Sequence, residues 1–168
     1  MNSLIIGNIS SLLAMVTDAI SSSRKTARGV LFMQTISQLI YTAGSIILRG
    51  YSAAVQNVIG VVRNLLAMSG KENKYIEWLL IVLGVVLGLI FNNRGIYGWL
   101  PVLSNLEYSL AVFKFKNNER ALKIAFAISI ALYAMFNIVL LNFVGFVSNM
   151  IIIVTTILFV VKDKGREA

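Results

Sequence analysis

Residues 41–66, YTAGSIILRGYSAAVQNVIGVVRNLL, reappear without a gap at residues 133–158 as YAMFNIVLLNFVGFVSNMIIIVTTIL. The offset is 92 positions: Tyr41 falls on Tyr133, Asn57 on Asn149, Leu48 on Leu140 and Val55 on Val147, and just upstream Arg28 falls on Arg120. Aliphatic matches are cheap in apolar segments. The Tyr and Asn matches are not, because polar residues in lipid-embedded helices are costly to keep. A fixed-period repeat governs every other reading of a chain.

The bilayer is the solvent for this sequence. Of 168 residues, 58% are hydrophobic, and the mean hydropathy is +0.81, more apolar surface than a soluble domain can hide. A spanning helix needs roughly 20 mostly apolar residues, and seven such runs are predicted, at 3–20, 29–48, 51–68, 77–92, 96–113, 121–140 and 142–161. Backbone in lipid must be paired within its own segment, which favours helices. The alternating ten-residue strands of a membrane β-barrel are absent from the sequence. The first run is the most polar, but residues 1–4 lack the basic n-region of a signal peptide, and the repeat requires a helix there.

The fold class expected is therefore an all-α membrane protein: one transmembrane domain over 1–168, with three-helix repeats at 3–68 and 96–161 joined by a linker helix at 77–92. The lone fourth helix restores the orientation that an odd-numbered repeat would invert. The two repeats then run parallel, related by an axis along the membrane normal, with substrate sites expected near the midplane between them.

The formal charge of +8 does not point to nucleic acid. Arg24, Lys25, Arg28, Lys71, Lys74, Lys114, Lys116, Arg120, Lys123, Lys162, Lys164 and Arg166 all fall on one side of a seven-span chain, and only Arg49 and Arg94 on the other. The positive-inside rule then predicts an N-terminus outside and a C-terminus in the cytoplasm. Recruitment of anionic membrane lipid is a secondary role for the same charges. The chain has no Cys and no His, which removes thiolate sites, the usual general base and the usual transition-metal ligand. With no P-loop, paired carboxylates or nucleophile–base set, no enzymatic activity, cofactor or metal is expected, nor a primary pump acting alone.

The segment RGVLFMQTISQLIYTAGSIILRGYSAAVQNVIGVVRNLL, residues 28–66, resembles the YgjV-type bacterial inner-membrane proteins, with their basic first loop, polar second helix ending in a Tyr-containing stretch and Arg-bearing third helix. The fifth run, GWLPVLSNLEYSLAVF, with Pro101 near its start, is similar to the same family. The resemblance implies a bacterial inner membrane. More distantly, the 3+1+3 plan resembles SWEET sugar facilitators and PnuC-type vitamin transporters. The SWEET resemblance implies that Asn57 and Asn149, on each repeat's third helix, contact substrate. It also implies a gating Pro in each first helix. Pro101 matches this, while GNISS in the first repeat has none, a departure from the family's symmetric pattern. The tryptophan-rich PnuC substrate box is absent, and vitamin specificity is not carried over.

Read from their own chemistry, Asn57 and Asn149 can meet a hydroxyl or amide without burying a charge; their bland role is interhelical hydrogen bonding. Gln34, Gln38, Tyr41 and Ser45 share one face of the second helix, and Ser129, Tyr133 and Asn137 one face of the sixth. Both stripes suit a permeation path or interhelical packing. Arg63 and Glu107 lie at matching depths and are expected to pair as a latch between repeats, or to act as a gate with Glu107 taking a proton. Asp18 reads as solvated near the cytoplasmic surface. Asn8, Trp99, Pro101 and Asn105 are expected along the outer first helices. Gly84 and Gly88 permit close helix approach, either to the chain's own bundle or across a homodimer. The function expected is alternating-access transport of a small-molecule polar solute. The rivals are a non-transporting regulatory or assembly subunit and a substrate-binding subunit of a larger transporter.

Overall fold

The computed structural model describes residues 2–71 and 73–164, the side chains of 163 and 164 excepted. Among the described residues there are seven α-helices: α1 (Asn2–Ser23), α2 (Ala27–Ile47), α3 (Tyr51–Ser69), α4 (Lys74–Ile90), α5 (Trp99–Phe115), α6 (Glu119–Val139) and α7 (Phe143–Lys164), with one 3₁₀ turn, Gly95–Gly98, before α5. Arg166 and the Lys164 side chain of the basic tail lie outside the described residues.

Local chemistry places the helix ends, and it repeats. Thr26 Oγ1 accepts from Gly29 N at the start of α2, and Asn118 Oδ1 accepts from Ala121 N at the start of α6; both are side-chain N-caps satisfying otherwise orphaned amides. At the other end, Arg49 and Leu141 both adopt φ 56°. Gly50 N donates to Ser45 O and Arg49 N to Ile46 O, while Asn142 N donates to Asn137 O and Leu141 N to Ile138 O. Each set is the Schellman ending, with a left-handed residue reversing the chain. Every atom pair in the second turn is the first shifted by 92, so the repeat is carried by the backbone as well as by the side chains.

The α1–α2, α2–α3, α5–α6 and α6–α7 pairs pack tightly, α3 packs on α5, and α7 packs on α1. These contacts close a ring of six helices, with α2 and α6 touching across the middle. The 92-residue offset maps α1 onto α5, α2 onto α6 and α3 onto α7, so the α3–α5 and α7–α1 seams are counterparts in the sequence repeat. The seams are parallel: Asn8 Oδ1 near the start of α1 accepts from Val144 N at the start of α7, and Ser22 near the end of α1 meets Thr156 at 2.7 Å. The fourth helix lies outside the ring, against α3 and α5.

Four helices, α1, α2, α6 and α7 as far as Lys162, are long and apolar enough to cross a membrane by themselves. At 17 residues each, α4 and α5 reach about 25 Å at 1.5 Å per residue, short of the roughly 30 Å hydrocarbon layer. Helix α3 has Gln56, Asn57, Arg63 and Asn64 buried along it. The ring surrounds these polar groups with protein, which a lone helix in lipid cannot do.

Two expectations are corrected here. Gly84 and Gly88 face inward: a Cβ on Gly84 would stand 3.2 Å from Asn105 Nδ2, and one on Gly88 would strike Gln56 and Val102. The pair seats α4 on its own bundle, so a homodimer face through these glycines is not available. Pro101 occupies the first turn of α5, where its missing N–H leaves no ladder bond unmade. The 3₁₀-to-α transition falls at Gly98–Trp99, and a mid-membrane gating kink is not formed.

Two apolar layers bracket the ring's interior. At the end where α1 begins, Leu48, Ala53, Phe136 and Leu140 cluster, with Leu100 and Tyr133 against them. Toward the basic end, Leu31, Tyr108, Val112, Leu122, Phe126 and Ile152 belong to a larger cluster.

Candidate functional site

The ring helices bury small and polar residues beside apolar ones, most clearly α1. On α1 the buried positions are Gly7, Ser11, Ala14, Asp18, Ser21 and Ser22, a spacing of three and four that marks one helical face. Between the apolar layers these faces enclose a cavity of about 50 Å³, where one water requires roughly 10–15 Å³ by the same measure. Its lining is paired by the repeat: Ser37 with Ser129, Tyr41 with Tyr133, Ser45 with Asn137 and Asn57 with Asn149 all border it, each pair 92 positions apart. Two charged side chains in the lining, Asp18 and Arg63, break that symmetry; the equivalent positions hold Leu110 and Thr155.

The residues singled out by sequence converge here. Asn57, Asn149, Gln38, Tyr41, Tyr133, Asn137 and Arg63 line the cavity. Tyr133 Oη donates to Asn57 Oδ1 at 3.3 Å, joining the two repeats. Gln34 is buried beside the cavity, its Oε1 accepting from Tyr108 Oη at 2.5 Å. Asn149 is 2% exposed and Asn57 5%.

The expected Arg63–Glu107 pair is not formed. Arg63, 1% exposed, donates from Nε to Asn64 Oδ1 at 3.0 Å, and from Nη1 to Asn105 Oδ1 at 2.8 Å and Ser109 Oγ at 3.1 Å. Its guanidinium lies 4.6 Å from the centre of the Tyr108 ring. Asn105 Nδ2 donates to Gln56 Oε1, and Gln56 Nε2 donates to Gly84 O, both at 2.7 Å. The latch between repeats therefore exists, but it is an amide–guanidinium chain running α4–α3–α5. Glu107 is off the cavity for an angular reason. Asn105, Tyr108, Ser109 and Val112 form the buried face of α5, and position 107 is turned about 200° from Asn105 at 100° per residue.

Asp18 is the other correction. It is fully buried, not solvated, because α1 continues to Ser23 and places it more than a turn inside the helix. The hydroxyls of Ser37 and Tyr41 face it, but neither carboxylate oxygen has a protein hydrogen-bond partner. Its signal was the inward spacing of Gly7, Ser11, Ala14 and Asp18, which a count of polar residues along the chain does not reveal. Asn142 was also missed as a lining residue; it caps α7 through Gly145 N and donates to Ser11 and Asn137.

One property unites the cavity's polar groups. Asp18 Oδ1 and Oδ2, Tyr41 Oη, Asn57 Nδ2, Arg63 Nη2 and Asn149 Oδ1 are all buried without a protein partner, and all five residues line this space. Buried polar atoms are nearly always paired, so these are donors and acceptors that a water or a solute in the cavity can satisfy.

Ring and cavity together define a multi-helix membrane protein with a polar interior between two related halves. A model of the Imp-YgjV family, described as bacterial inner membrane protein, matches residues 5–167, and the chain belongs to that family. It is thus a bacterial inner-membrane protein. No curated protein and no solved structure matches the chain.

Proposed function

We propose that this protein moves a small polar solute across the bacterial inner membrane by alternating access between its two three-helix halves. The observation that carries this reading is the coincidence of polar atoms that lack a protein partner with a cavity lined by repeat-related residues of both halves. A solute site needs such donors and acceptors in reserve, held by water until the solute displaces it. The apolar clusters on either side of the cavity suit two gates, one around Leu48 and Leu140 and one around Leu31 and Phe126. The 92-residue recurrence of caps and turns and the two parallel seams favour a 3+1+3 plan resembling SWEET transporters, with the N-terminus outside and the C-terminus in the cytoplasm.

The test is solute uptake by proteoliposomes of the purified chain, with Asn57→Ala and Asn149→Ala measured beside it. A polar solute moved by the wild type and slowed in both variants supports the reading, and the same solute raises the melting temperature only of proteins that bind it. A solute moved equally by all three proteins removes the cavity from the path. If no solute across sugars, nucleosides, vitamins and amino acids is moved or stabilises the fold, transport is the wrong function.

A further inference from the structure

Resting on the transport reading, we infer that the solute carries both charges, with a cationic nitrogen held by Asp18 and a carboxylate or similar anionic oxygen held by Arg63. The cavity contains one buried carboxylate and one buried guanidinium. The two are not in direct contact: among the described residues, no ion pair joins them. They approach from α1 and α3, which pack on α2. Arg63 commits Nε and Nη1 to neutral oxygens and keeps Nη2 unpartnered. Asp18 keeps both oxygens unpartnered.

A buried charge without a counter-charge is costly, and the cost falls when an opposite charge with hydrogen bonds arrives. An anion alone satisfies Arg63 and leaves Asp18 uncompensated; a cation alone does the reverse. A zwitterion compensates both and keeps the occupied cavity electrically neutral, which a low-dielectric interior favours. The Tyr41, Asn57 and Asn149 atoms that border the same cavity can meet neutral polar groups of the solute. The asymmetry fits as well. Both charges come from the first repeat, at positions where the second has Leu110 and Thr155, so the nearly symmetric cavity has a single polarity along which a two-ended molecule is oriented.

The experiment uses the full chain, purified in detergent for thermal shift and reconstituted for uptake. The probes are β-alanine, its half-molecules ethylamine and propionate, and neutral 1,3-propanediol, with glycine and 4-aminobutyrate varying the charge separation. The expected result is stabilisation and uptake for at least one zwitterion, with both half-molecules and the diol weaker by roughly tenfold or more, as the loss of one charged hydrogen-bonded contact implies. Asp18→Asn is expected to lower zwitterion affinity by roughly the same factor and to abolish the preference for the zwitterion over the carboxylate half-molecule. Arg63→Gln should abolish the preference over the amine. Arg63 also ties α3 to α5, so a variant there that fails to fold leaves the decision to Asp18→Asn, which keeps the side chain's shape and can still meet the Ser37 and Tyr41 hydroxyls that face it.

Binding of sugars or diols with indifference to zwitterions overturns the two-charge class and leaves transport standing. Propionate binding as tightly as β-alanine, unaffected by Asp18→Asn, removes Asp18 from the site and also overturns it. Failure of every probe and of every neutral solute counts against both this inference and the transport reading.

Discussion

A buried amide in a helical bundle either ties helices together or is kept for a guest, and the two roles respond differently to removal. Asn105 is of the first kind. It accepts from Arg63 and Ser109 and donates to Gln56, so Asn105→Ala strands the Gln56 amide oxygen and leaves Arg63 Nη1 with Ser109 alone. Interhelical hydrogen bonds in membranes average well under 1 kcal/mol each, but several lost together with unpaired buried groups left behind should destabilise by about 2 kcal/mol. Thermal unfolding in detergent reads this as a clear drop in melting temperature. Asn149 differs, because its Oδ1 has no protein partner. Asn149→Ala is expected to leave stability within about 0.5 kcal/mol, since removing an already unsatisfied group relieves a penalty. If the two alanine variants melt equally early, Asn149 is glue and the solute-contact role fails. The residue scale is also where the sequence was least legible. Depth along a helix can be counted, and that count matched Arg63 to Glu107. Direction around the helix decides contact, and it matched Arg63 to Asn105.

Helix boundaries follow from chemistry that lies close together in the chain, so most were readable in advance. The runs expected at 51–68 and 121–140 become Tyr51–Ser69 and Glu119–Val139, set by the Schellman turns and by the Asn118 cap. The run expected at 3–20 extends to Ser23; packing on α2 and α7 keeps Ser21 and Ser22 helical, with Ser21 donating to Val30 O and Ser22 meeting Thr156. That three-residue error alone turned a buried Asp18 into a surface one. The two Schellman turns carry their own test. Arg49 and Leu141 are held at φ 56°, a conformation that costs a non-glycine residue about 1–2 kcal/mol, partly offset for glycine by its greater chain entropy when unfolded. Arg49→Gly and Leu141→Gly should each raise stability by about 0.5–1 kcal/mol, measured by thermal or denaturant unfolding, and the two gains should add because the turns share no hydrogen bond. A loss at either site means that the replaced side chain contributes more than its backbone strain, and the two turns are then equivalent in shape but not in energy.

At the scale of the whole molecule, the distribution of charge makes the proposed orientation of the ring testable. The joins α1–α2, α3–α4 and α5–α6 and the end of α7 lie at one end of the ring and hold Arg24, Lys25, Lys71, Lys116 and Lys162; the opposite end carries Arg49 and Arg94. Each cation resists translocation, so the proposed orientation puts the crowded end in the cytoplasm. Arg94 is further restrained at its end by donating to Leu48 O, and Asn93 donates to Arg49 O across the same surface. This clasp holds the α4–α5 join down over the end of α2. Because the natural chain has no Cys, single cysteines report position without background. Ile96→Cys, at a site 78% exposed beside that clasp, should react with a membrane-impermeant maleimide in cells whose inner membrane is intact. Lys71→Cys, exposed at the basic end, should react only after the inner membrane is opened. The reverse pattern would invert the orientation. Equal labelling of both sites in intact cells would mean dual insertion, which a cation excess concentrated on one side opposes. Under the proposed transport reading and orientation, the Leu48–Phe136–Leu140 layer would be the outer gate. A solute entering from that side would then meet Asn57 and Asn149 before Arg63, so Arg63 would receive a solute already stripped of part of its water.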